Sequence, residues 1–155
     1  MEAYVDAAFA PHADSKSHTG VEIFIGGALV FAASQKCVTK SPTESELVTL
    51  TDNIGFVELF EDFFSFIVNR EKKIPPLIYQ DSTSVISLVM KGCGIVCTKH
   101  LRVRMNLCRE AVDEKRIRIA YIHTTKMLAD GLMKPLEGST FKVFMKALMG
   151  LKKTE

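Results

Sequence analysis

One long helical pattern fills residues 41–67, between an antiparallel hairpin and a short strand, and that order leaves few folds open. Residues 21–25 and 28–33 are apolar runs joined by Gly26-Gly27. Both turn residues accept positive φ, which predicts a two-residue hairpin. With residues 3–9 ahead of it, the chain opens as three antiparallel strands. Residues 77–80, bounded by Pro75-Pro76 and stopped by Asp81, predict a further strand, and residues 117–122 alternate as another. A strand reached through a long helix lies parallel to its neighbour, and right-handed crossover favours the first strand as that neighbour. The expectation is an α/β fold: a five-stranded mixed sheet, three strands antiparallel and then two parallel, flanked by helices.

The long helix has a clear start. Ser41 as N-cap, Pro42 at the first helical position and Glu44 at the third make a capping box. A second register would use Thr43 as cap and Glu46 as the reciprocal glutamate. The first places the proline where its missing N–H costs least, and it leaves Glu46 free. Leu47, Leu50, Ile54, Val57 and Phe60 recur at helical spacing, continued by Phe63, Phe64 and Ile67, so the aromatic residues are expected in the core. Shorter helices are expected over 82–90, ended by Gly92 and Gly94, from Thr98 with Leu101, Met105, Leu107, Cys108 and Val112 available to pack, and over 139–148 with Phe141, Phe144, Met145 and Leu148 on one side. Residues 127–132 predict a helical turn or two. Residues 10–19 read as a loop with His12, Asp14, Lys16 and His18 solvated.

A chain of 155 residues fits one domain, and 47% hydrophobic with 25% charged residues excludes disorder. A net charge of +2 is too small to imply a nucleic-acid partner, so that case must rest on where the charges sit. No apolar run approaches bilayer length, so no membrane association is expected. Strand-like sequence begins at once, without a secretory leader, as in an excised piece of something longer. Without such a leader, Cys37, Cys93, Cys97 and Cys108 predict no disulfide framework. Cys93, Cys97, His100 and Cys108 match none of the paired zinc spacings, which leaves buried or idle thiols.

Two aspartates stand out. Asp6 lies inside an otherwise apolar or small strand, where an unpaired carboxylate is costly to bury. Asp81 ends its strand just before a helix, a position that by itself suits an N-cap. Convergence with other acids decides otherwise. Neighbouring strands lie about 4.8 Å apart, so Asp6 and Asp81 can meet at one edge of the sheet, and Glu46 on the crossover helix can join them. Carboxylates so close raise one another's pKa unless a cation intervenes, and oxygen-only ligands suit magnesium or manganese.

Five segments, in order, complete the pattern: Tyr4-Val5-Asp6, residues 41–47 (SPTESEL), Ile78-Tyr79-Gln80-Asp81, residues 98–104 (TKHLRVR) and residues 128–136 (LADGLMKPL). Together they closely resemble the ribonuclease H domain at the C-terminus of copia-type retrotransposon reverse transcriptases. The resemblance covers nearly the whole chain. It implies an endonuclease that hydrolyses the RNA strand of an RNA/DNA hybrid, with Asp6, Glu46, Asp81 and Asp130 holding two divalent ions, Mg2+ with Mn2+ as substitute. Such ions sit about 3.5–4 Å apart, one activating water and the other stabilising the departing oxygen. It also implies a reverse transcriptase polymerase domain preceding this one in a Pol polyprotein, and an intracellular setting in a virus-like particle or the nucleus. His123 falls where many ribonucleases H carry a histidine that helps product leave, although the glycine-containing loop of the cellular enzymes is missing here. The tryptophan-rich basic handle of the bacterial enzymes is absent too. That turns attention to Lys99, His100, Arg102 and Arg104 as phosphate contacts. Two other readings use the same fold: an inactive nucleic-acid-binding or tether module, and an integrase-like nuclease with three essential carboxylates.

Overall fold

The structure, a computed structural model, describes residues 1–71, 73–92 and 98–150. Its strands are β1 (Glu2–Ala8), β2 (Ser17–Ile25), β3 (Ala28–Cys37), β4 (Leu77–Gln80) and β5 (Arg118–Tyr121). They form one sheet in the order β3-β2-β1-β4-β5. β1 pairs antiparallel with β2 and parallel with β4, β2 pairs antiparallel with β3, and β4 parallel with β5, as the order of elements required. Gly26 and Gly27, at φ 61° and 84°, make the hairpin turn. β2 begins at Ser17 and β3 runs to Cys37, so part of the expected loop over 10–19 is strand. His18 sits in β2 opposite Lys36, with its ring 3.2 Å from that of His12.

The crossover helix α1 (Pro42–Ile67) starts as the sequence dictates. Ser41 Oγ accepts from the Glu44 N–H at 3.2 Å, and Glu44 Oε2 accepts from the Lys40 N–H at 2.8 Å, one residue earlier than a standard box. Leu47, Leu50, Ile54 and Val57 pack against Ala3, Val5, Val21, Ile23 and Ile78 of the sheet. Of the aromatic residues, Phe60 is partly buried against this cluster and Phe64 is half-buried, but the others do not follow inward. Phe56, Phe63, Phe66 and Ile67 are exposed, because they occupy the side of α1 opposite Leu50 and Val57. α1 is apolar on both sides, yet no helix among the described residues is long and apolar enough to cross a membrane.

α2 (Thr83–Lys91) and α3 (Lys99–Asp113) follow β4. The N-cap of α2 is Ser82, whose Oγ accepts from the Val85 N–H, so Asp81 is not the cap. Val85, Val89, Met105, Cys108 and Ala111 close the core, while Leu107 stays exposed. Gly94 and two of the four residues weighed as zinc ligands, Cys93 and Cys97, lie outside the described residues. Cys108 is buried, which pushes its thiol up to about 12 and makes it a poor ligand. After β5 come two 3-10 turns, Thr124–Lys126 and Leu128–Leu132, and the last helix, α4 (Gly138–Leu148). A Cβ at Gly20 would lie 3.1 Å from the Ala129 carbonyl oxygen, so this glycine lets the second turn approach β2 closely. Gly131 likewise leaves room for the Phe144 ring of α4, which a Cβ there would strike.

Candidate active site

Strand pairing sets up the site. Tyr4 of β1 is in register with Tyr79 of β4, so two residues further on Asp6, still within β1, and Asp81, just past the end of β4, come side by side. Glu46 reaches them from the first turns of α1. One carboxylate oxygen from each of Asp6, Glu46 and Asp81 lies within 4.8 Å of the others. Asp130 is brought in by the turn that packs on Gly20, near enough for its carboxyl to act on that of Asp6, although it stands outside the group of three.

The local charge balance is acidic. Asp6 is buried, with Oδ1 accepting from the Ala7 N–H at 2.9 Å. Burial, the neighbouring Asp130 carboxyl and the Asp81 charge push the Asp6 carboxyl up to about 7. Burial and the Asp6 charge push Glu46 up to about 8, against the hydrogen bond from Gln80. Both carboxyls therefore hold a proton more readily than an ordinary carboxylate, and a cation would compete with that proton.

Three partners were not anticipated. Gln80 is fully buried and its Nε2 donates to Glu46 Oε2 at 2.7 Å, fixing that carboxylate's orientation. Alternation along β4 could have revealed it, since Gln80 shares the face of Ile78, which packs against α1. Thr124 Oγ1 donates to Asp81 Oδ2 at 2.7 Å; β5 delivers it there through the bond from Ile122 N–H to the Gln80 carbonyl. Lys134 Nζ lies 2.6 Å from Asp130 Oδ1, an i,i+4 pair visible in the sequence.

His123 is exposed beside this group. Its Nδ1 accepts from the Thr125 N–H at 3.3 Å and lies 3.0 Å from Thr125 Oγ1, so the ring caps the first 3-10 turn. In the basic segment, His100 Nε2 is 3.0 Å from Glu44 Oε1, and Arg104 pairs with Asp52 and donates to Thr51 Oγ1 at 3.0 Å. His100 and Arg104 thus face acids, and Lys99, His100 and Arg102 are all exposed.

Glu44 serves the helix start and not the acidic group. Burial raises its carboxyl, but the Lys40 amide and His100 outweigh that and hold it below the usual range. Glu44→Gln keeps an acceptor for Lys40, so it is expected to cost about 0.5–1 kcal/mol of stability, as a weakened cap and ion pair do. Turnover should stay near wild type, whereas Glu46→Gln should remove most of it. Thermal melts and cleavage rates of the two variants check this, and equal losses would reverse the assignment.

No family model matches the chain. It is 32% identical over 154 residues, 97% of its length, to the retrovirus-related Pol polyprotein from transposon TNT 1-94 of Nicotiana tabacum. It is 26% identical over 147 residues, 93% of its length, to the corresponding polyprotein from transposon RE1 of Arabidopsis thaliana. The chain spans only 11% and 10% of these relatives. Among solved structures, LC11-RNase H1 in complex with RNA/DNA hybrid superposes with a TM-score of 0.64, covering 84% of this chain and 91% of that one at 16% identity. At that identity the likeness establishes the fold.

Proposed function

We propose that this chain, a ribonuclease H domain of the copia-type retrotransposon Pol polyproteins, hydrolyses the RNA strand of RNA/DNA hybrids. The observation that carries the proposal is the meeting of Asp6, Glu46 and Asp81 within 4.8 Å, with the Asp130 carboxyl near Asp6. Four carboxyls supported by the ammonium of Lys134 form an incomplete electrostatic unit. Their all-oxygen donor set fits magnesium or manganese. Divalent ions held there would supply an activated water and stabilise charge on the departing 3′ oxygen.

The protein's own part is positional. Asp6 stands on the central strand with its carboxylate oriented by the Ala7 N–H. Gln80 holds Glu46 and Thr124 holds Asp81, so each ligand keeps its orientation before substrate arrives. Lys134 keeps a positive charge beside Asp130 at the open side of the group, where a phosphodiester would approach. In this reading Lys99, His100, Arg102 and Arg104 are the segment that would meet phosphates, and exposed His123 would act on product release.

Labelled RNA/DNA hybrid, duplex DNA and duplex RNA, each incubated with the protein and Mg2+ or Mn2+, test this reading. Cleavage confined to the RNA strand of the hybrid is expected. Processing of DNA ends would favour the integrase-like alternative, and binding without cleavage the tether.

A further inference from the structure

The second apolar side of α1 is left largely uncovered by the described residues. Phe56, Leu59, Phe63 and Phe66 follow one another at intervals of three, four and three residues, with Ile67 beside them. They form one stripe facing away from the core, with exposures of 45% at Phe56, 62% at Leu59, 60% at Phe63 and 84% at Phe66. Phe56, at the near end, stacks on Phe31 of β3 with ring centroids 5.3 Å apart, and exposure rises beyond it. Phe66 is the most exposed large apolar side chain among the described residues. The spacing is that of a heptad seam, the pattern that receives another helix by interdigitation.

The stripe also has a place in the fold. α1 starts beside Asp6 and ends at the opposite pole, where β1 begins. At that pole the Met1 carbonyl accepts from the Leu77 N–H at 3.1 Å, and Lys73 joins Asp62 of α1 to the segment leading into Pro75-Pro76. Exposed Ile74 extends the apolar surface toward it. Polypeptide joined ahead of Met1 therefore leaves the domain at the same pole as Phe63, Phe66 and Ile67, and far from the carboxylates.

We propose that this stripe docks an apolar helix of the polypeptide joined ahead of Met1 in the Pol polyprotein. The inference rests on membership of that polyprotein family and is independent of nuclease activity. Size favours a tethered partner over a second copy. Taking about 150–250 Å² for an aromatic side chain, the stripe exposes on the order of 600 Å². A stable free complex buries about 800 Å² per partner, and a short tether makes up the difference by holding the two sides at roughly millimolar effective concentration.

Hydroxyl-radical labelling of side chains reads this directly. Phe63, Phe66 and Ile67 are followed in the 155-residue domain and in a longer Pol chain that carries the preceding polypeptide. In the longer chain their labelling is expected to fall at least about fivefold, as burial at an interface core entails. Exposed Val38 and Val103, which lie elsewhere, should label equally in both. Phe63→Glu with Phe66→Glu should restore labelling of Leu59 and Ile67 in the longer chain. These positions are exposed, so the domain's circular dichroism should not change. Equal labelling of the stripe in the two proteins would overturn the proposal. Shielding already present in the isolated domain and lost on dilution would overturn it too, by identifying a second copy as the occupant.

Discussion

Replacing Asp81 with asparagine is expected to lower hybrid cleavage by roughly 10²–10³-fold or more, the range for losing one preorganised charge-stabilising group. The amide would keep the volume of the carboxylate and could still meet Thr124, so the fold has no reason to change. Asp81 does not cap α2; Ser82 does, and the core residues Ile78 and Val85 lie to either side. The loss is therefore one of ligand charge. Metal concentration separates this from a structural effect. A missing ligand raises the Mg2+ or Mn2+ needed for half-maximal rate, whereas misfolding lowers the rate at every concentration and shows in the melt. A variant that melts normally and cleaves as fast as wild type would remove Asp81 from the chemistry.

The second large effect couples the site to stability. Asp6 and Glu46, pushed up to about 7 and about 8, hold protons that the unfolded chain releases near pH 4. Between these limits the folded protein binds more protons than the unfolded chain. Stability is therefore greatest at the acid end of the window and falls as pH rises through 7 and 8. After allowance for solvent screening the loss is a few kcal/mol, on the order of 10 °C in Tm for a domain of this size. Glu22 acts in the same direction: it is fully buried, has no hydrogen-bond partner among the described residues, and burial pushes it up to about 7. Divalent ions separate the contributions. Added at pH 8.5, Mg2+ or Mn2+ should recover the part due to Asp6 and Glu46, by about 2.7 kcal/mol at a hundred times Kd. It should leave the Glu22 part untouched. At pH 5.5 the same ions should do little, because protons compete for the ligands. Melts of wild type and Asp6→Asn at both pH values, with and without metal, check this. A metal effect that is as large at pH 5.5 as at 8.5, or that survives Asp6→Asn, would contradict it.

Topology was legible in the sequence because it follows from a few local signals. Gly26-Gly27 fixes a hairpin, Ser41-Pro42 starts the crossover helix, and a strand reached through that helix must lie parallel. Meeting of Asp6, Glu46 and Asp81 then follows from strand spacing and helix position. Asp130 was legible only through the resemblance, since its approach depends on Gly20 admitting a 3-10 turn onto β2, a contact between residues far apart in sequence. The aromatic residues of α1 misled for a different reason. Helical periodicity says that Phe56, Phe63 and Phe66 lie on a helix, but when both sides are apolar it does not say which side meets the sheet. Here Leu50, Ile54 and Val57 face the sheet with Phe60 partly buried against them, while Phe56, Phe63 and Phe66 face out. Gln80 and Lys134 were within reach, the first by alternation with Ile78 and the second by its spacing from Asp130.

Diffraction from crystals soaked in Mn2+, recorded where manganese scatters anomalously, locates the metal without relying on turnover. The expected result is anomalous density bounded by the carboxylates of Asp6, Glu46 and Asp81, absent in Asp81→Asn at the same concentration. Manganese bound elsewhere, or an empty carboxylate group at a concentration that supports hybrid cleavage, would contradict the assignment of these residues as the hydrolytic centre.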